Sequence, residues 1–413
     1  MGAAERDVAT RGQVFTPPFI VEAMLGLRRN RGRVLEPSCG DGAFLARLPG
    51  AVGIEPDARH APAGALIQDF FAYPESERFE TIIGNPPYVR YQDILPQTRA
   101  LLRQDGFDGR TNLYLFFIAK CVRHLRPGGE LIFITPRDFL KSTSSLKLNR
   151  WLFEEGTITD FVELGDARIF EDAVPNCAIW RYERGRLERR TRFLDASAAA
   201  SARTALETGA WEAREFVEAA GHLLFTRGHY PLRFSDHFFV KVGAVSGDDE
   251  VFTSPEHGNL DFVCSETARS GRLRRMIYNL RIAHLEHHKD RLLARRIRRF
   301  DETNWWQWGR GYHVCDRPRI YVNHKTRQAR PFFVHPCIHY DGSVLAVFPR
   351  DPAADVCALC EALNEVDWAD LGFVCDGRFL FSQRALENAP LPEAFSAFRP
   401  SPAPRGAPAG ALV

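Results

Sequence analysis

Apolar runs long enough to cross a bilayer are missing. No stretch reaches ~18 consecutive apolar residues, and the opening MGAAERDVATRGQ has no apolar core of the kind a secretory leader carries. Both absences lead to the expectation of a cytoplasmic chain with no membrane partner. Net charge is scarce as well. The 54 basic and 52 acidic side chains leave +2, which excludes a histone-like tail protein and an acidic disordered chain but leaves local patches open. Lysine is rare, with 6 residues against 48 arginines. Arginine forks suit phosphates and guanines, although GC-rich coding yields the same bias. Of nine scattered cysteines only Cys357 and Cys360 form a C-x-x-C, with no second pair at zinc spacing. They lie in VCALCEAL, a helical pattern, so packed thiols are expected and no metal. His287-His288, inside an arginine run, fits a solvated helix face. No internal repeat or low-complexity array is evident.

What is present is enough for a substantial core. The chain has 413 residues, 45% hydrophobic and 26% charged, which suits two domains. The first 180 residues alternate short apolar strands with helical patterns, the signature of a parallel α/β sheet. Thr16-Pro17-Pro18 before FIVEAMLGL predicts an N-cap with prolines in the first turn. Strands are predicted at 33–36, 51–55, 65–68, 79–83 and 130–135, with a helix over 112–125. A turn at Gly40-Asp41-Gly42 should open another helix carrying Phe44 and Leu45. Residues 158–164 and 178–182 should pair as an antiparallel edge. Domain boundaries are expected at 1–185, a connecting segment over 186–215, and 216–413.

The predicted strand ends are acidic. Strand one runs into Glu36-Pro-Ser-Cys-Gly40-Asp-Gly42, where glycines let backbone approach a ligand and the next helix offers its N-terminus. Glu55 ends strand two at the distance where an acid holds ribose hydroxyls. Asp69-Phe70 ends strand three, a polar group and a ring able to take an adenine. Such acids repel a pyrophosphate and suit a cationic nucleoside, S-adenosylmethionine, with its sulfonium, amino group and ribose. Ordinary loop acids are the plainer reading.

Strand four runs into Asn85-Pro86-Pro87-Tyr88. Two prolines stiffen the turn. The Asn85 side-chain carbonyl and the Pro86 main-chain carbonyl can together accept both hydrogens of a planar amino group. That draws the nitrogen lone pair out of conjugation and aims it at an electrophile. Tyr88 supplies a flat face for the ring that bears the amine. The reaction this implies is a direct displacement needing neither metal nor strong base.

The series TPP, VLEPSCGDGAF, VGIEPD, QDF, IIGNPPYVRY, NLYLFFIAKCVRHLRPGGELIFITP and IFEDAVPNCAIW resembles the gamma-class DNA adenine-N6 methyltransferases of the TaqI type, strongly over 13–182 and more loosely beyond. The resemblance implies a Rossmann-like class I methyltransferase domain with a mostly parallel seven-stranded sheet, plus a C-terminal mixed α+β target-recognition domain. It implies an S-adenosylmethionine pocket drawing on Thr16, Glu36, Gly40, Gly42, Glu55, Asp69, Phe70 and Asn85. Asn85, Pro86, Pro87 and Tyr88 would be catalytic, and Phe170 would form a second aromatic wall opposite Tyr88. Asn112 and Tyr114 match a motif near the target pocket. The substrate implied is a flipped-out adenine in duplex DNA, in a restriction–modification or orphan epigenetic system of a bacterial or archaeal cell, with a separate cognate endonuclease as a possible partner. An RNA adenine or protein-glutamine methyltransferase, N4-cytosine transfer, and a DNA-binding protein without catalysis are the alternatives.

Charge is unevenly placed. Residues 1–180 carry −2 and the rest +4, yet residues 269–299 alone hold eleven Arg or Lys against two acids. An arginine-rich helix beside Trp305, Trp306 and Trp308 suits phosphate contact plus wedging, with tryptophans in a domain core as the plainer reading. The expected DNA-contacting residues are Arg272, Arg274, Arg275, Arg295, Arg296, Arg298, Arg299, Lys325 and Arg327. Six of the run's charges on phosphates would give a log–log salt slope of about −5.

Overall fold

The computed structural model describes residues 16–103, 107, 111–165, 176–197, 202–375 and 377–398. The chain divides into two compact units, Met1–Arg227 and Gly228–Val413.

The first unit is built on a nine-stranded sheet: β1 (Val34–Glu36), β2 (Val52–Gly53), β3 (Phe79–Gly84), β4 (Leu125–Pro136), β5 (Gly156–Glu163), β6 (Cys177–Arg184), β7 (Arg190–Asp195), β8 (Glu212–Ala219) and β9 (His222–Thr226), in the order β2-β1-β3-β4-β6-β5-β7-β8-β9. β1 pairs in parallel with both β2 and β3, and β3 with β4. β1, β3, β4, β5 and β6 bury nearly every residue, the continuous apolar pattern of strands covered on both faces. The covering helices are α1 (Pro18–Gly26), α2 (Leu113–His124) and α3 (Leu146–Glu155). α1 starts on Pro17-Pro18, where a missing N–H is harmless, and buries Ile20, Val21 and Met24.

Predicted and observed elements differ in four places. The third strand shrinks to one parallel bridge, Ile54 to Leu66; Leu66 and Ile67 are exposed, so no packing extends it. The turn after Gly42 yields only a 3-10 turn over Leu45–Arg47. The strands near 158–164 and 178–182 do pair antiparallel, but β6 is interior, inserted between β4 and β5. Finally, the stretch expected as a connector supplies β7 and the start of β8; with β9 these add three strands, and with the third strand lost to a bridge the sheet goes from seven strands to nine. Alternation with arginine hides β7 from a hydrophobic scan: Thr191, Phe193 and Leu194 are buried, while Arg190 and Arg192 point out. Arg214 lies 3.6 Å from the Phe193 ring centroid, an apolar use of a charged stem.

With the bridge as outermost rung, the bridge–β2–β1–β3–β4 order is that of a doubly wound sheet whose direction of winding reverses at β1. Ligands settle beyond the strand ends at such a reversal. Glu36 and Gly84 are the last residues of the two strands that flank it. Farther along the sheet, buried Arg181 sits 2.6 Å from Glu130 and 3.0 Å from Glu183, and Arg29 and Arg192 reach buried Asp160. Charges this deep are tolerable only when fully paired.

The second unit centres on an antiparallel four-stranded sheet, in the order Phe238–Val242, Val344–Pro349, Ile320–Asn323, Phe332–Val334. The helix Val356–Asn364 belongs to its core through Leu359, Cys360 and Leu363. The C-x-x-C is helical as predicted, with Cys360 buried and Cys357 exposed. A second apolar cluster gathers Phe252, Phe262, Met276, Leu292, Trp305 and Trp308.

Candidate active site

β1 delivers Glu36 to the reversal point. Its carboxylate is 2% exposed. Among the described residues its Oε2 has no hydrogen-bond partner. Burial, with Asp41 and Glu55 nearby, holds its pKa well above the ordinary carboxylate range. A buried acid with an orphaned oxygen fits a cationic ligand, which would supply the missing counter-charge. Glu55 is used differently. Its Oε2 accepts the Gly40 amide and its Oε1 the Asp57 amide, both at 3.0 Å, so it also shapes the glycine turn. Gly42 adopts φ +82°, and a Cβ there would lie 2.8 Å from Pro62; only glycine fits.

Asp69 caps a 3-10 turn over Phe70–Ala72. Oδ1 accepts the Phe71 amide at 2.8 Å and Oδ2 the Thr98 hydroxyl. Phe70 corrects an expectation. Its ring is 2% exposed, with its centroid 5.1 Å from that of Phe117 and 5.6 Å from that of His124. It is core rather than an open wall, because the inner face of α2 draws it in. Buried Lys120, also on α2, donates to the Phe71 and Tyr73 carbonyls at 2.8 Å and sits over the Phe70 ring. Burial lowers its pKa to about 8. No sequence pattern singled out Lys120; a lysine among LYLFFIA was the available signal.

β3 delivers Asn85-Pro86-Pro87-Tyr88. Ser38, from the glycine turn, donates to the Asn85 carbonyl at 3.2 Å, tying the two strand ends together. Asn85 Nδ2 donates to Thr16 Oγ1 at 3.3 Å. Thr16 is therefore not the helix cap its position predicts: the N-cap is Pro17, with no side-chain bond, and the Thr16 hydroxyl faces the Asn85–Tyr88 turn. Tyr88 departs from a purely stacking role. Its ring is half-buried, and its hydroxyl lies 2.6 Å from Asn85 Oδ1 and 2.8 Å from the Ile134 carbonyl on β4. Burial raises its pKa well above that of a free phenol. The ring meets Tyr114 edge-on at 5.9 Å. Pro86 is buried, Pro87 half-buried, and no backbone amide among the described residues donates to the Pro86 carbonyl. Asn112 N-caps α2, accepting the Tyr114 amide at 3.4 Å. Phe170 lies outside the described residues.

In the second unit the expected DNA-contacting residues divide. The basic run is not one helix: it passes through a short strand, Arg274–Met276, and two short helices, Ala283–Glu286 and Lys289–Leu293. Arg295 is a correction. It is 9% exposed, and its guanidinium donates to the carbonyls of Leu292, Ser246, Trp305 and Gln307. Burial lowers its pKa to about 10. It braces the fold from inside, with four of its five N–H donors already committed to main-chain carbonyls. Arg274 pairs with Asp249 and Asp341, and Arg275 with Asp261. Arg272, Arg296, Arg298, Arg299, Lys325 and Arg327 are exposed, Arg298 donating to Gln307 Oε1. Trp305 and Trp308 are core, at 0% and 3% exposure, and Trp306 is half-buried.

Residues 59–170, which hold Asp69 and the Asn85–Tyr88 turn, match the model of the Eco57I restriction-modification methylase family. The chain is 34% identical over 196 residues to the Type II methyltransferase M.TthHB8I of Thermus thermophilus, spanning 42% of this chain and 45% of that protein. It is 28% identical over 189 residues to the Type II methyltransferase M.HincII of Haemophilus influenzae, spanning 42% and 38%. The chain thus spans less than half the length of these relatives. Among solved structures, the Type IIL restriction-modification enzyme MmeI in complex with DNA is similar at a TM-score of 0.47 and 12% identity, covering 86% of this chain and 62% of that one.

Proposed function

We propose that this chain, similar over its catalytic turn to restriction-modification methylases, is a site-specific DNA methyltransferase acting on the N6 amino group of adenine. Its cofactor is S-adenosylmethionine, and it works in the cytoplasm, with or without a separate endonuclease. The observation that carries this is Asn85-Pro86-Pro87-Tyr88 at the end of β3, beside a buried acid, Glu36, that has no counter-charge among the described residues.

Glu36 would face the cationic part of the cofactor, Glu55 would fix the glycine turn around it, and Asp69 would face its adenine. When bound, S-adenosylmethionine supplies a methyl group on sulfonium, which the amine nitrogen takes by direct displacement as sulfur leaves with the bonding pair. The Asn85 side-chain carbonyl and the Pro86 carbonyl accept the two amine hydrogens, so the nitrogen lone pair is turned out of the ring. Once nitrogen carries the methyl it is cationic and loses its proton to solvent, without a strong base. Flipping the nucleotide out costs a few kcal/mol, and stacking on the half-buried Tyr88 ring returns about 1–3 kcal/mol. Phe170 is proposed as the opposite wall.

Single-molecule sequencing of DNA from cells expressing the protein tests this. N6-methyladenine at one recurring motif is expected. Methyl label appearing only in RNA or in protein, or N4-methylcytosine in DNA, would overturn the substrate assignment.

A further inference from the structure

The four-stranded sheet of the second unit has one acid-poor end. The first strand stops at Val242, another stops at Asn323, and a third starts at Val344. Val242 pairs with Leu345 and Asn323 with Val344, so these termini lie together. Around them Ser265, Arg310, His324, Lys325, Gly342 and Ser343 line a recess of about 490 Å³.

No acid lines it. Neighbouring Asp341 is 1% exposed; its Oδ1 accepts the Ser343 amide and hydroxyl, and Arg274 stands 3.3 Å from its Oδ2. Arg274 faces this charge, though Oδ2 accepts no hydrogen bond among the described residues. His324 is a wall, not a cation. Its Nδ1 lies 3.1 Å from the Phe381 carbonyl, which can only accept, so Nδ1 carries the hydrogen; burial lowers its pKa. The positive charge comes from Arg310 and Lys325, both exposed. Among the described residues neither forms an ion pair, and the Arg310 guanidinium has only a 3.5 Å contact with the Gly243 carbonyl.

Both cations stand on fixed backbone. Arg310 exchanges two main-chain hydrogen bonds with Val245, at 2.9 and 3.1 Å, and Lys325 pairs with Leu380 across a short antiparallel ladder. Gly243 closes the edge, since a Cβ there would lie 1.9 Å from the Asp341 carbonyl. Preset donors lose little freedom on binding. Arg327, two residues on and also exposed, continues the positive track along the chain. A track favours a polymer over a free ion, and the volume exceeds what one phosphate needs, leaving room for the attached sugar.

We infer that this recess seats a backbone phosphate of duplex DNA, with Arg310 and Lys325 supplying charge and Ser265 a neutral donor. It marks this sheet end as a DNA-facing part of the second unit, in contrast to the 269–299 run, where Arg274, Arg275, Arg281, Lys289 and Arg291 are already paired with acids. The inference rests on the proposed function and names a contact that function needs.

The test compares the full-length protein with the double variant Arg310→Ala, Lys325→Ala on two duplexes of unrelated sequence, across a salt series. The variant should bind both duplexes about tenfold more weakly, with a log–log salt slope shallower by about 0.9 for the one phosphate lost. Cofactor binding, followed by calorimetry, should not change. Equal affinity and slope in variant and wild type would overturn the inference, as would loss on one duplex alone, the mark of a base contact. Saturable binding of inorganic phosphate without DNA, abolished in the variant, would make the recess a free-anion site and equally overturn it. If wild type binds no duplex at all, the proposed function fails and this contact falls with it, an outcome distinct from equal binding by variant and wild type.

Discussion

At the residue scale, the Asn85–Tyr88 pair separates two uses of one tyrosine. In the proposed reaction the ring would stack on a base, while the hydroxyl, 2.6 Å from Asn85 Oδ1 and 2.8 Å from the Ile134 carbonyl, would hold the amide that accepts the amine hydrogens. Tyr88→Phe should keep base capture within about twofold, read by 2-aminopurine fluorescence, yet slow transfer about tenfold, or ~1.4 kcal/mol. Tyr88→Ala should damage both. Asn85→Ala should lower turnover by at least about 10²-fold, a larger loss than any in cofactor affinity, in single-turnover assays. Glu36 carries a pH signature. Its folded-state pKa is raised chiefly by burial, so its contribution to stability is full below the unfolded value and is lost as pH rises through the folded one. Glu36→Gln should therefore melt higher than wild type at neutral pH, and the two should converge in acid. Affinity of the wild type for S-adenosylmethionine should climb with pH as Glu36 ionises, whereas the Gln variant should bind weakly at every pH.

At the element scale, what could be read from sequence follows where the burial signal is dense. The strands ending in Glu36 and Gly84 are short apolar runs closed by turn residues, and they fall where the pattern predicts; so does α2, capped by Asn112. β7 escapes because Arg190 and Arg192 point outward between buried residues, Arg192 lying over the Trp211 ring, so its alternation mimics a charged linker. Thr16 and Phe70 carry the right residue types in the right order, but only the fold decides that a hydroxyl faces Asn85 and a ring turns into α2. Arg295 teaches the same in the second unit. Composition counts it as surface charge, whereas four carbonyls hold it inside. Arg295→Ala should destabilise the second unit by about 2–4 kcal/mol in denaturant titrations, with no change in the salt slope of the DNA binding that remains.

At the scale of the whole molecule, the +2 total averages an acid-lined strand end with the local basic run over 269–299. Each unit has its own apolar clusters. Scanning calorimetry should resolve two transitions. S-adenosylmethionine at about 100 times its Kd should stabilise only the first unit, by ~2.7 kcal/mol; a shift of both transitions together would mean that the units unfold as one.

The place of β6 in the sheet also sets a schedule. The Ile134 carbonyl that holds Tyr88 belongs to β4, one edge of which pairs with β3 and the other with β6, residue 134 opposite Ile179. During synthesis Asn85 through Tyr88 leave the ribosome long before that second edge exists, and β5 is made in between without touching β4. The nascent chain must wait with a bare strand edge until Cys177–Arg184 arrives, a window in which that edge is open to mispairing. A ribosome-stalled chain ending before β6 should leave β4 open to protease, and one extending well past it should not.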